Sequence, residues 1–131
     1  DLEIAKEKSE KNPIYYIQYA HARIMTIIAN IDFSYENADL LLLDKSEEIK
    51  IISKLLDFQE LIIKLESIKE PQLLANYVYD LATMFHKYYS KFRIINNNLE
   101  LCKSRLVLID AVRIVLKNGL SILGITSPNK M

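Results

Sequence analysis

Apolar residues recur at three- and four-residue steps over most of this chain, the period of helices that turn one face to a core. The first run is Ile14, Ile17, His21, Ile24, Ile28 and Ile31, and it begins just after Asn12-Pro13. Asn caps helices well and Pro is tolerated at the first helical position, so this pair predicts a helix start. Tyr16, Tyr19, Ala20, Arg23 and Asn30 fall on the roughly opposite side. The pattern breaks over 32–39, which reads as a loop, and 40–43 reads as a buried connector.

A second helix is predicted from Ser46, with Glu47 and Glu48 in its first turn, where the helix dipole favours acids. Its apolar positions are Ile49, Ile52, Leu55 and Leu56. Asp57, with Glu60 three residues on, has the form of a capping box and predicts the start of a third helix. That helix would carry Leu61, Ile62, Leu65 and Ile68. Glu70-Pro71 restarts the chain into the longest helix, to about residue 95. Leu74, Val78, Leu81, Phe85, Tyr88 and Phe92 stripe it, while Tyr79, His86, Tyr89 and Arg93 share a flanking face. After the Asn96-Asn97-Asn98 turn, a fifth helix is expected over about 104–117, with Leu106, Ile109, Leu116 and either Val112 or Arg113 in register. Gly119 is its expected C′ residue, and a short turn over 120–123 ends at Gly124. No strand signal appears. The fold class is therefore all-α, a helical bundle of about five helices.

The 131 residues fit one domain, over 12–131. Residues 1–11 are charged and helix-favouring, and they are expected to end a linker helix from a preceding domain. The start has neither Met nor a signal-peptide core, which points to an excised fragment. No apolar run is long enough to span a membrane. Cys102 is the only cysteine and has no metal-ligand spacing around it, so an ordinary thiol in a cytoplasmic protein is expected.

Seventeen basic residues balance seventeen acidic ones. That balance disfavours binding nucleic acid mainly through phosphate neutralisation, but leaves room for reading unstacked bases with aromatic faces. The sequence has eight tyrosines for such work. Catalysis fails on inventory. Both glycines belong to helix ends, so there is no phosphate loop. His21 and His86 lie on different helices without carboxylates at ligand spacing, so no metal site is expected. His21 falls within the apolar stripe and reads as a buried, hydrogen-bonded core histidine.

The segment Asn12-Pro-Ile-Tyr-Tyr-Ile-Gln-Tyr-Ala-His-Ala-Arg23 closely resembles the signature that opens the C-terminal domain of arginyl-tRNA synthetases. Leu74-Ala-Asn-Tyr-Val-Tyr-Asp-Leu-Ala82, followed by Phe85-His-Lys-Tyr-Tyr89, resembles the family's long central helix. Ser104-Arg-Leu-Val-Leu-Ile-Asp-Ala-Val-Arg113 is similar to the segment holding the Asp-Ala-Leu-Arg pattern, with Val112 in place of Leu. Lys117-Asn-Gly-Leu-Ser-Ile-Leu-Gly-Ile125, with Pro128 and Met131, resembles the family's C-terminus.

The resemblance implies a helical domain that binds the anticodon stem-loop of tRNA for arginine. It implies a parent class I synthetase, an arginine–tRNA ligase using ATP and Mg²⁺, whose catalytic domain lies elsewhere in the same chain. This segment alone would hold no catalytic residue and no cofactor, and a monomer is expected. The family's anticodon contacts match Tyr16, Arg23, Tyr89 and Met131 here, with Tyr19 and His86 as possible neighbours. Tyr16 and Arg23 are seven positions apart, nearly two turns, so both project from one helix face. Asp110 and Arg113 read as an intrahelical pair. Two rivals remain: a helical module that uses the tyrosine-rich face for a protein partner, and the anticodon domain of a cysteinyl- or glycyl-type synthetase. The first signature argues against the latter.

Overall fold

The computed structural model describes residues 12–131 and places four α-helices there: α1 Pro13–Ala29, α2 Ser46–Ile68, α3 Pro71–Lys91 and α4 Leu99–Ile122. A 3₁₀ turn, Leu40–Leu42, lies between α1 and α2, and no strand occurs among the described residues. The all-α expectation holds with one helix fewer. The expected linker helix falls on residues 1–11, outside the described residues.

Helix α1 begins where Asn12 caps it. The Asn12 side-chain oxygen accepts from the amides of Ile14 and Tyr15 at 3.0 and 3.3 Å. Ile17, His21 and Ile24 are buried as the period requires, but so is Ala20, which the sequence pattern set on the opposite side. Ala20 lies next to the stripe, and its small side chain lets the neighbouring helices close over it. The 3₁₀ turn is also less buried than expected, because Leu40, Leu41 and Leu42 are exposed and only Leu43 enters the core.

The second and third expected helices are one helix, α2. Asp57 stays helical with its side chain in solvent, and Leu55, Phe58, Leu61, Ile62 and Leu65 carry one stripe across the supposed break. No Gly or Pro interrupts this segment, so nothing forces a new start. Ile49 and Leu56, expected as apolar contacts, point outward instead. The helix ends where Lys69 turns left-handed at φ 54°, just before Pro71.

Helix α3 stops at Lys91, short of residue 95, as Phe92 turns extended. Arg93 therefore leaves the flanking face of α3 and belongs to the following connection. Helix α4 starts earlier than expected, because Asn98 caps it by accepting from the Leu101 amide at 3.2 Å. It also runs on through Gly119, which is not a C′ residue. A Cβ there would strike Val78 Cγ1, so glycine marks the close approach of α3 and α4. The true stop is Gly124, at φ 76°.

Helices α1, α3 and α4 pack mutually, and α2 lies along α3 with a lesser contact to α4. Ile17, Ile24, Leu74, Leu81, Phe85 and Ile109 lead the shared core. One buried polar cluster ties α2 to the rest. Glu48, fully buried, accepts from Tyr88 Oη at 2.5 Å and from Arg105 Nε at 2.9 Å. Its second oxygen accepts the Lys45 amide at 3.1 Å, capping α2. Arg105 also donates to the Arg93 carbonyl at 2.9 Å and lies over the Phe92 ring, 5.2 Å from its centroid. Every charge in this cluster thus has a directed partner, the condition under which a buried ion pair is tolerated. The cluster rigidly joins the start of α2, the end of α3 and the connection into α4.

Candidate nucleic-acid interface

Seven-residue spacing on α1 brings Tyr16 and Arg23 to the same side, facing α3. Arg23 is the centre of the arrangement. Its guanidinium lies 5.2 Å from the Tyr19 ring centroid and 4.6 Å from that of Tyr89 on α3. Both distances fall within cation–π range. Arg23 Nη1 lies 3.2 Å from His86 Nδ1, and His86 Nε2 lies 3.3 Å from the Tyr16 carbonyl. Arginine can only donate, so Nδ1 accepts, and the ring proton sits on Nε2, donating to Tyr16. Arg23 forms no ion pair among the described residues. Its full charge is thus held in place by aromatic faces and one imidazole, without a carboxylate to neutralise it.

A concave site of about 300 Å³ opens beside this guanidinium, lined by Tyr19, Ala22, Arg23, Thr26, Ile27, Tyr89 and Met131. Three of the four expected contacts, Arg23, Tyr89 and Met131, meet there with Tyr19. Tyr16 does not line it. Its ring packs 5.3 Å from Tyr79 and 4.6 Å from His86, half-buried between α1 and α3. Tyr16, Tyr19, Tyr79 and His86 instead make a continuous aromatic strip leading to the site, with Tyr19 and Tyr79 exposed. Tyr89 is braced from below by stacking on Phe85, with centroids 5.9 Å apart.

Met131 reaches the site because the tail after α4 folds back along α1. Gln18 Nε2 donates to the Thr126 carbonyl at 2.9 Å, and His21 Nδ1 donates to the Pro128 carbonyl at 3.1 Å. Gln18 and His21 are one turn apart on α1, so they grip successive points of the tail. His21 Nε2 is buried without a hydrogen-bond partner among the described residues. Burial pushes the His21 pKa below its ordinary value of 6.5, opposed by the Pro128 hydrogen bond and reinforced by the positive charges of Arg113 and Lys117. The ring is held neutral as the Nδ1–H tautomer.

A family model described as the DALR anticodon binding domain matches residues 17–131. The chain belongs to the DALR anticodon-binding domain family. Along its whole length it is 44% identical to part of an arginine–tRNA ligase from Salinibacter ruber and 41% identical to part of one from Carboxydothermus hydrogenoformans. It covers 24% and 25% of those proteins, so it spans about a quarter of the curated relatives it matches. The arginyl-tRNA synthetase of Thermus thermophilus superposes with a TM-score of 0.80 at 28% identity, over 97% of this chain and 22% of that one. The enzyme of Plasmodium falciparum gives 0.78 at 27% identity, with the same coverages.

In this DALR domain the opening signature divides into separate tasks. Asn12 and Pro13 start the helix, Gln18 and His21 hold the tail, and Tyr16, Tyr19 and Arg23 face α3. Gln18 went unassigned by sequence, since its partner lies 108 positions away. Arg113 and Asp110 form the expected intrahelical pair at 2.7 Å, and Tyr35 also donates to Asp110 at 3.1 Å, fastening the 32–39 loop. Among the described residues no cluster of three or more metal-ligating side chains occurs, and no helix is long and apolar enough to cross a membrane.

Proposed function

We propose that this domain recognises the anticodon loop of tRNA for arginine, as part of an arginine–tRNA ligase. The observation that carries the reading is the Arg23 guanidinium, without an ion pair among the described residues, held within cation–π reach of the Tyr19 and Tyr89 rings at a site that Met131 also lines. An unpaired base entering there meets a ring to stack on and a planar donor for its carbonyl or ring nitrogen. Tyr16 belongs to the aromatic strip, where a neighbouring loop base can stack. With zero net charge, the domain has little nonspecific pull on phosphates, so selectivity rests on base contacts.

The rest of the ligase, with its catalytic domain and the ATP and Mg²⁺ it uses, is assigned to the three quarters of the relatives' length that this chain does not span. The same reading makes the parent enzyme cytoplasmic and monomeric. The test is direct titration of the chain with anticodon stem-loops that differ only at the central anticodon base. Tighter binding of the arginine-type loop supports the assignment, and equal binding at moderate salt removes it.

A further inference from the structure

Beyond the Arg23 site the surface continues into a larger cavity of about 580 Å³. It is formed by the end of α1, the start of the following loop and the connection from α3 to α4. Ile27 and Tyr89 line both cavities, so the two adjoin across these side chains, at the spacing of neighbouring nucleotides in one loop. The volume falls within the roughly 300–1,000 Å³ of small-ligand pockets.

We propose that this cavity is a second base pocket, holding the loop nucleotide next to the one bound at Arg23. The inference rests on the anticodon-loop reading. Phe33, Tyr89 and Phe92 supply aromatic wall, and Asn30, Asp32 and Arg93 supply polar groups, the mixture that receives unstacked bases. The polar groups are available. The Arg93 guanidinium has no hydrogen bond or ion pair among the described residues, and neither has the Asp32 carboxylate. Asn30 spends its amide nitrogen on the Thr26 carbonyl, leaving its oxygen to accept.

The wall is also preorganised. Arg105 holds the Arg93 carbonyl at 2.9 Å and lies over Phe92, while Ile94 is buried and Cys102 Sγ accepts the Asn96 amide at 3.1 Å. The backbone beneath Arg93 is thus fixed while its side chain remains exposed, as suits a contact made only on binding.

The test is fluorescence-anisotropy titration of the 131-residue chain with arginine-type anticodon stem-loops, intact or abasic at one loop position at a time. Arg93→Gln removes an exposed side chain without a partner, so circular dichroism should be unchanged. It should weaken the intact loop about tenfold, the scale of one lost arginine–base contact. Its effect should disappear on a loop abasic at one position, adjacent to the position where the effect of Arg23→Ala disappears. An unchanged affinity of Arg93→Gln overturns the second pocket while leaving the Arg23 reading intact. So does an equal loss on every abasic loop, which marks a phosphate contact only, or a loss that disappears at the same position as that of Arg23→Ala. Failure of the unmodified chain to bind any stem-loop overturns the anticodon reading itself.

Discussion

Arg23 and His86 sit on different helices, yet Nη1 of one donates to Nδ1 of the other at 3.2 Å. His86 is oriented in turn by the Tyr16 carbonyl, so the imidazole relays the position of the α1 backbone to the guanidinium. His86→Ala should leave the helical spectrum intact and weaken stem-loop binding by roughly 1 kcal/mol, since Arg23 would keep its two rings but lose a directed acceptor. His86→Gln, which can offer an acceptor at similar reach, should recover part of the loss. Binding unchanged in His86→Ala would show that the rings alone position Arg23.

The tail clamp makes the site sensitive to acid. His21 has a folded pKa below 6.5, so as pH falls past 6.5 the unfolded chain takes up a proton that the folded domain resists. Stability from this residue is full above about pH 7 and declines as pH falls through 6.5 toward the lower folded value. Thermal midpoints measured between pH 7.5 and 5 should fall, in a window above the ordinary carboxylate range. His21→Asn, whose amide can still donate to Pro128, should flatten that fall. An equally steep fall in the variant would place the titrating group elsewhere.

Gly119 tests the close packing of α3 on α4. An alanine in an open helix position would gain up to about 1 kcal/mol over glycine. Here the added methyl meets Val78, and overpacking costs about 1–3 kcal/mol, so the clash wins. Gly119→Ala should lower the denaturant midpoint, and Gly119→Ala with Val78→Ala should recover much of it. A stabilised single variant would contradict the observed helix approach.

The helix starts at Asn12-Pro13, Ser46 and Pro71 were legible because caps and prolines act locally, and the α3 stripe was legible because its period is unbroken. Asp57 misled because a cap-forming side chain breaks a helix only when the backbone also leaves helical angles, which tertiary packing of Leu55, Phe58 and Leu61 prevents. Gly119 misled in the same manner: its purpose is contact with another helix, invisible along one. Of the residues the resemblance names, Arg23, Tyr89 and Met131 line one cavity with Tyr19, His86 holds Arg23 from α3, and Tyr16 lies outside the cavity. The tail clamps and the Glu48–Arg105 pair join residues 57 to 108 positions apart, and no local pattern encodes such partners.

The buried pair carries its own expectation. Glu48→Ala leaves Arg105 charged and buried without its carboxylate, and strips the Tyr88 hydroxyl of its acceptor. Breaking one side of such a pair costs about 3–5 kcal/mol. Urea denaturation should show a loss of that size, whereas Asp80→Ala, which removes the exposed partner of the Lys54–Asp80 pair, should change stability by less than about 1 kcal/mol. Similar small losses for both would deny the pair its role in joining α2 to the bundle.

The anticodon assignment itself stands or falls on one comparison: the dissociation constant of the 131-residue chain for an arginine-type anticodon stem-loop and for the same loop with its central base changed, at moderate salt. The expected result is at least about tenfold weaker binding of the changed loop, with the difference largely abolished in Arg23→Ala, the size of one lost base-specific contact. Equal affinity for the two loops, or discrimination that survives Arg23→Ala in full, would contradict the account.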